Sequence, residues 1–598
     1  NYLKDLHVGS TVDTEWIKNY NPVSSDSIQN NLTAVVNKAL GVLDIPLFEG
    51  SNSWVIAPDK TKKGKVIFAN DPHIGFAQPS VWYEAHIETP TYSKYGYHIA
   101  GIPFPLLGHN RKLAYGITMF ENDDVDFYFE QNNPDNENQY LTESGYVDYE
   151  IVNKSIKVKD SSEVQFSYKK SIHGPILNGI ADQVKGDRPI AMSWVYTQME
   201  NKVIDAIYGL SHSNNLKEFK TALPKIHAPG LNIMYGDEEG NVAWFATAQL
   251  YQIPDSVNTK MVFEVGEGLP LEKDLLDFKE NPQAINPPSN YVYSANNQPD
   301  SIAGMLYPGY YLPENRGKRI VELLAPKNDW DITSASEMIT DVISSVEPEI
   351  ITNLAKLLDV SLLSENGLMA IDSLKMWRGD YELSSIEATI YNRWIYYFLE
   401  NTFEDELGDE LFNQFLSTHF MKRLIAPLSK DEDSVWWDDV STTDVNESMV
   451  DIVNISFMEA VASLEKDFGN NLDYWRWERV HTIEHGHPIG QIAALRFFFN
   501  VGPYPVHGTR EVINNLAFSY DDTGYYKTTS GPSTRRIIDF SDVENSISIL
   551  PTGQSGNPFS EHYRDQAEMY VNGEFRKMMM NKEEIQKSKE ILTFKPKD

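Results

Sequence analysis

The 598-residue sequence contains no cysteine. That absence excludes a disulfide scaffold, a Cys-ligated zinc or iron–sulfur site and a thiol nucleophile. Basic charge is scarce as well. Lys and Arg number 51 against 86 Asp and Glu, for a formal net charge of -35. A nucleic acid partner needs a basic footprint, so none is expected, and anionic membrane surfaces are disfavoured in the same way. Long apolar runs are missing: Ile395–Leu399 and Leu495–Val501 are short and flanked by polar residues, so no membrane span is expected. There is no repeat of solenoid or propeller length and no P-loop. Gly553-Gln-Ser555-Gly556 fails the spacing of a nucleophile elbow.

What is present is a large potential core. Hydrophobic residues make up 41% of the chain and aromatic residues 12%, which excludes global disorder. The length alone suggests roughly four domains, although large single folds break that rule. The chain begins at Asn1 rather than Met, which suggests removal of an upstream segment; no signal peptide is evident in what remains. A cysteine-free composition fits a bacterial protein exported to the periplasm or beyond.

The texture of the sequence divides it into four stretches: 1–50, 51–330, 331–470 and 471–598. The first is polar, with a linker-like Pro22–Asp26 and helical spacing over Ser27–Leu43. From Ser53 onward, short strand-like runs alternate with Gly, Pro and Asp, as in Trp54–Ala57, Val66–Ala69, Ile190–Tyr196 and Leu231–Leu250. Between about Ser334 and Phe468 the apolar period becomes helical. Strand and turn signals return at Arg535–Phe540 and Ile547–Leu550. The expectation is a sheet-rich core, a helical insertion and a return to the core.

Gly50-Ser51-Asn52-Ser53-Trp54 stands where the texture changes. Taken alone it reads as a turn before a strand. It also reads as a processing site. Ser51 Oγ can attack the Gly50 carbonyl carbon, the C–N bond breaks, and water hydrolyses the resulting ester. An α-amine is thereby freed on Ser51, with a reference pKa of about 7.7–8.0, so much of it is an unprotonated base near neutral pH. Ser51 then carries nucleophile and base on one residue.

The residues downstream favour this second reading. Ser51-Asn-Ser-Trp54, Ala69-Asn-Asp-Pro-His73, Trp82-Tyr-Glu-Ala-His86, Gly108-His-Asn110, Ala114-Tyr-Gly116 and Asp123-Asp-Val-Asp126 occur in order. His173-Gly-Pro175, Asn232 before Tyr235-Gly-Asp237, Ala295-Asn-Asn297, Arg316, Trp477 with His481, and Leu550–Phe559 follow. Together they resemble the β-chain of the penicillin acylase family of N-terminal-nucleophile hydrolases. The resemblance implies an α+β fold, a four-layer αββα sandwich. It also implies an acyl-amide substrate, an α-chain from the same precursor as partner, and no organic cofactor. Ser51 falls on the nucleophile, Asn232 on the side-chain oxyanion donor, and Met119 on the backbone N–H donor. His73 falls near the nucleophile, where an imidazole can bond the hydroxyl or orient the amine. Phe76 and Phe120 are the candidate pocket liners, together with Met119. Asp123, Val125 and Asp126 fall on ligands of a structural Ca²⁺, two carboxylates and one backbone carbonyl, hard oxygen donors that suit that ion. Read without the resemblance, the same acidic cluster is a solvated turn.

The sequence departs from the family in two places. Only 50 residues precede Ser51, so residues 1–50 are expected to be an α-chain end or a spacer. Asp255 follows Ile253-Pro254 where the family often carries Arg. A rival chemistry is also visible: His481-Thr-Ile-Glu484-His485 matches an inverted zinc-peptidase motif, which needs both histidines on one helical face. Gly486 and Pro488 argue against a helix there, so a loop leading into a strand is expected. The favoured function is self-processing followed by hydrolysis of a linear acyl amide. A chain left uncut at Gly50 would instead be a silent precursor acting as a binding or assembly protein.

Overall fold

The computed structural model describes residues 48–596 apart from 183, 185, 255, 256, 260, 265, 267, 270–272, 300, 301, 303–305 and 589. The first 47 residues, including the helix expected at Ser27–Leu43, and Asp255 lie outside the described residues.

Five strands frame the region of interest: β1 (Phe48–Ile56), β2 (Ile67–Gly75), β3 (Leu113–Met119), β4 (Leu231–Asp237) and β5 (Tyr291–Ser294). They belong to two seven-stranded antiparallel sheets. One runs β5-β1-β2, then Arg535–Asp539, Ile547–Ile549 and Arg576–Lys577, with Ser530–Pro532 also paired to β2. The other runs Gln283–Ile285, Val242–Thr247, β4, β3, Leu107–His109, Ser93–His98 and Tyr83–Glu88. Leu231–Leu250, a single apolar stretch in the sequence, is a hairpin of β4 and Val242–Thr247 with Glu238–Asn241 at its turn.

The two-residue alternation of a strand assigns the layers. Along β1, Val55 points inward with Phe68, Ala114, Met234 and Ile538, and these residues glue the sheets together. Trp54 and Ile56 point outward with Ile67 and Ala69 onto helices α1 (Asn315–Leu324) and α2 (Ile332–Ile339). On the far side, Tyr115, Ile117, Ile233 and Phe245 pack against Val203–His212 and Leu216–Lys220 through Leu210 and Phe219. The order is helix, sheet, sheet, helix. Asp331 and Ser334 cap the start of α2 with a reciprocal side-chain box, which satisfies the first free N–H groups of the helix.

Between Ser294 and His481 the described elements are all helical. The longest, Ile386–Leu416, breaks at Gly408, whose φ of 67° departs from helical values. It packs on Met449–Phe468, with the Trp394 and Phe457 rings 4.8 Å apart. This helical body has its own core, including Trp394, Trp475 and Trp477. α2 belongs to the sandwich and not to that body, because Ala335, Met338 and Ile339 bury their side chains on β1 and β2 neighbours. No described helix is long and apolar enough to cross a membrane.

Candidate active site

The inward face of β1 changes character along its length. Val55 is part of the apolar glue, but Ser53 and Ser51, two and four residues earlier, share its face. Ser53 lies opposite Asn70 of β2 and Ser294 of β5. Across the inter-sheet gap, Asn232 of β4 lies opposite Thr118 of β3. Thr118 Oγ1 and Ser294 Oγ are 2.6 Å apart. One end of the inter-sheet layer is therefore built of buried hydroxyls and amides, with Thr118, Ser294 and Asn232 bonded to one another and Ser53 Oγ donating to the Ala69 carbonyl.

Ser51 is fully buried. Its Oγ–H meets the carbonyl oxygen of Gly50, the peptide group it would have to attack. Gly50 has φ +149°, a conformation that disfavours any side chain, and a Cβ there would meet Leu312 Cδ1 at 3.2 Å. The Ser51 N–H donates to Asn296 Oδ1 at 2.7 Å. The Ser51 carbonyl accepts from Arg316 Nη1 at 2.7 Å. Arg316, from α1, also donates to Asn52 Oδ1, to the Ala295 carbonyl and to Asn296 Oδ1. Burial lowers its pKa to about 10, so it stays a cation at neutral pH.

The orientation of Asn232 is fixed by Trp244, whose indole N–H donates to Oδ1 at 2.8 Å. Its Nδ2 is thereby turned toward the Met119 carbonyl at 2.8 Å, Thr118 Oγ1 at 3.1 Å and Ser294 Oγ at 3.2 Å. The Met119 carbonyl also accepts from Asn296 Nδ2 at 2.9 Å. A chain of hydrogen bonds thus joins Ser51 to Asn296, Asn296 to Met119, and Met119 to Asn232. Three of the four candidate catalytic residues converge.

The fourth lies elsewhere. His73 is opposite Gly50 in the β1–β2 register, which puts its side chain on the outward face with Asn52 and Asp71. Its Nε2 is 3.2 Å from Asn52 Nδ2 and 3.4 Å from Asp71 Oδ2. Burial lowers the His73 pKa well below its usual value, and the charges of Arg316, Arg535 and Lys422 lower it further. Burial raises that of Asp71. Both groups are driven toward their neutral forms.

The candidate pocket residues are apart from one another. Phe76 packs with Ile483, Leu516 and Tyr570, its ring 5.3 Å from that of His485. Phe120 packs with Ala246, Leu250 and Tyr311. The Met119 side chain lies on the outer side of its sheet.

Asp123, Val125 and Asp126 lie at and before the strand Val125–Phe129. Both carboxylate oxygens of Asp126 are buried without a hydrogen-bond donor, and Lys273 Nζ is 3.5 Å from Oδ2. Burial pushes Asp123 up to about 7 and Asp124 and Asp126 up to about 6, and the charge of Asp126 adds to the rise at the other two. Crowded, desolvated carboxylates of this kind are relieved by a cation. Among the described residues no three His, Asp or Glu side chains converge as a metal site. A calcium ion would rest on two carboxylates and backbone carbonyls.

The zinc-peptidase geometry is absent. His481–His485 is a strand, not the loop expected from Gly486 and Pro488, and not a helix. Alternation puts His481 and His485 on one face and Glu484 on the other. His481 Nδ1–H donates to the Tyr526 carbonyl at 2.7 Å, and Glu484 accepts from Arg496 and Asn500. Burial lowers both imidazole pKa values to about 4.

Sequence reasoning assigned no role to Asn296, Arg316 or Trp244. The Ser51 partner lies 245 residues away for Asn296 and 265 for Arg316, while Trp244 reaches Asn232 only 12 residues away, across the β4 hairpin. The one local signal is Asn296 itself: its φ of +65° is a conformation that Asn tolerates, just past the end of β5.

Two antiparallel sheets stacked between helices, with a buried serine on the inner face of a central strand, define the fold of the N-terminal-nucleophile hydrolases. The chain belongs to the penicillin amidase family, whose sequence model matches residues 6–587. It is 27% identical over 566 residues to the acyl-homoserine lactone acylase QuiP of Pseudomonas aeruginosa, covering 88% of this chain and 66% of that protein. It is 24% identical over 533 residues to penicillin acylase 2 proenzyme of Pseudomonas sp. SE83, covering 86% and 65%. The chain thus spans about two thirds of the length of these relatives. The thermostable penicillin G acylase of Alcaligenes faecalis superposes with a TM-score of 0.68 at 19% identity, over 92% of this chain and 100% of that one.

Proposed function

We propose that this chain is a self-processing amidohydrolase that cleaves linear acyl amides through Ser51. The observation that carries the reading is the setting of Ser51. Its hydroxyl meets the Gly50 carbonyl, its N–H and C=O are each held by a buried partner, and a hydrogen-bond chain links it to Asn232. The relatives named as acyl-homoserine lactone and penicillin acylases support an acyl amide as the substrate class.

Cleavage after Gly50 gives Ser51 a free amine. That amine takes the Oγ proton as Oγ attacks the acyl carbon of the substrate. Asn232 Nδ2 and the Met119 N–H stabilise the oxyanion, donors already fixed in place before charge develops. The tetrahedral adduct collapses, the leaving amine takes the proton, and water hydrolyses the Ser51 ester. An α-chain from the same precursor completes the acyl pocket in this reading. A structural Ca²⁺ held by Asp123, the Val125 carbonyl and Asp126 neutralises the buried carboxylates; it takes no part in the chemistry. The enzyme acts outside the cytoplasm, which cell fractionation checks.

The test is intact mass and N-terminal sequencing, followed by a panel of acyl amides varying in chain length and aromaticity. Cleavage between Gly50 and Ser51 with turnover of at least one acyl amide supports the reading. Cut material inactive on the whole panel, or a wild-type chain that stays intact, counts against it.

A further inference from the structure

Residues 150–170 form a ribbon outside both main sheets. Glu150–Ile156 pairs antiparallel with Val164–Lys170 as a sheet of two strands. All of these residues but Val152, Tyr168 and Lys169 are exposed. The register sets Val152 against Tyr168, Lys154 against Phe166 and Ile156 against Val164, so these six side chains share one face. That face is apolar apart from Lys154, whereas the other carries Asn153, Ser155, Gln165 and Ser167 over the same length. Ile156 is 52% exposed, Val164 49% and Phe166 41%. A two-stranded ribbon is marginal by itself, and an apolar face on it gains stability only when something covers it.

The ribbon also has the opposite sign to the rest of the molecule. It holds five lysines and three acids in a chain of net charge -35. Lys170 pairs with Glu150 at 3.5 Å, and Lys169 donates to the Glu137 carbonyl at 2.6 Å. Lys154, Lys157 and Lys159, toward the outer end, enter no ion pair among the described residues. The complementary surface lies on the same chain, in the helical body. Residues 404–410 hold five acids and residues 431–447 hold seven, with no Lys, Arg or His in either stretch. The Val440 N–H donates to Asp405 Oδ2 at 2.6 Å, which brings the two stretches together. Burial, and then the neighbouring Asp405 and Asp438, push Glu406 up to about 8, as crowded carboxylates do. Leu411, Val440 and Val445 are exposed apolar side chains on this surface.

We propose that the ribbon of one copy docks on the 404–447 surface of a second copy of this chain, its apolar face on Leu411, Val440 and Val445 and its outer lysines against the acids. The docking uses no residue of the Ser51 site and stands whether or not Gly50 is cut. Two bodies of charge -35 repel one another at long range. Within a Debye length, about 8 Å at physiological salt, local charges decide instead. The ribbon is where the sign reverses, so it is the part of one copy that the acidic surface of another can admit. The contact is heterologous, one surface meeting an unlike one. Apolar burial supplies the affinity, and the lysine–carboxylate pairs supply the choice of partner surface. A ribbon this short covers less area than a permanent interface, so the association is weak and depends on concentration.

Sedimentation velocity over a concentration series of wild-type protein, at about 0.15 M salt, should show a mass that rises above that of one copy. A mass fixed at one copy up to the highest soluble concentration overturns the proposal. Two sets of charge reversals then locate the contact. One is Lys154→Glu with Lys157→Glu and Lys159→Glu on the ribbon; the other is Glu410→Lys with Glu432→Lys and Asp444→Lys on the helical body. Either set should lower the association constant by about tenfold or more, and the chain carrying both sets should recover it. Phe166→Gln, which leaves every charge in place, should weaken association as well, and it tests the apolar part even if a reversed chain does not fold. The Tm of each variant, measured alongside, separates a lost contact from a lost fold. Association that survives both reversals, or that the doubly reversed chain fails to recover while melting as wild type does, overturns the proposal. A wild type that stays a single copy in solution yet co-sediments with anionic lipid vesicles, and loses that on ribbon reversal, makes the ribbon a lipid contact and overturns docking on a second copy.

Discussion

The indole N–H of Trp244 donates to Asn232 Oδ1 at 2.8 Å and so decides which end of that amide is the donor. An oxyanion donor is worth about 10²–10³ in kcat. Asn232→Ala should therefore lower kcat by that factor with little change in KM, measured on cleaved enzyme. Trp244→Phe should cost less, because the amide keeps its partners at Met119, Thr118 and Ser294 and loses only the constraint on its orientation. Ser51→Ala should abolish both the cut and the amidase activity; a cut that persists in this variant would rule out self-processing. That Ser51, Met119 and Asn232 are candidates was legible in the sequence from the family resemblance, although Met119 itself falls in none of its short motifs; their convergence is what the structure adds. The side of the sheet that His73 occupies was not legible. It follows from the register that sets Gly50 against His73, and a shift of one residue would have turned the imidazole inward. Arg316 was visible in the sequence as an arginine, but its role depends on α1 folding back over β1.

At the level of elements, short runs bounded by turn residues located strands such as Trp54–Ile56 and Arg535–Asp539, although both are buried on both faces and show no two-residue alternation. The helical stretch was legible by its period, but not which of its helices pack on the sheets. One helix carries a further consequence. Glu347 opens the helix Glu347–Ala355, accepts from the Tyr381 hydroxyl at 2.7 Å, and is pushed by burial up to about 8. Its folded pKa exceeds its unfolded one, so the folded state holds the proton more tightly. Stability from this group is whole below about pH 4.5 and is lost as the pH rises toward 8. Glu347→Gln should flatten that slope, read as Tm against pH across the same window. A slope unchanged by the substitution would mean that Glu347 ionises normally.

For the whole molecule, Asp126 is a buried place where a cation would relieve unpaired charge. Its two oxygens are buried and without donors, with Lys273 at 3.5 Å as the nearest counter-charge. Added Ca²⁺ should raise Tm, and chelation should lower it, while Asp126→Asn should remove the response. Equal melting with and without Ca²⁺ would leave Lys273 as the sole counter-ion. The fold class was legible from the family pattern. The stacking of the sheets was not, because it depends on Val55, Phe68, Ala114 and Met234 meeting across distant segments.

The β1–β2 pairing has a bulge between Phe48 and Gly50, immediately upstream of the Gly50–Ser51 peptide, and is regular from Gly50 to Ile56. A cut after Gly50 therefore divides one strand into unequal tenants of the same sheet. The downstream piece keeps its hydrogen bonds to two neighbours. The upstream piece keeps a short, irregular grip on one. The upstream end can drift off while the new amine cannot follow. In a chain cut there, hydrolysis of the Ser51 ester is what makes the step one-way, and the anchoring of the downstream piece keeps the new amine in register.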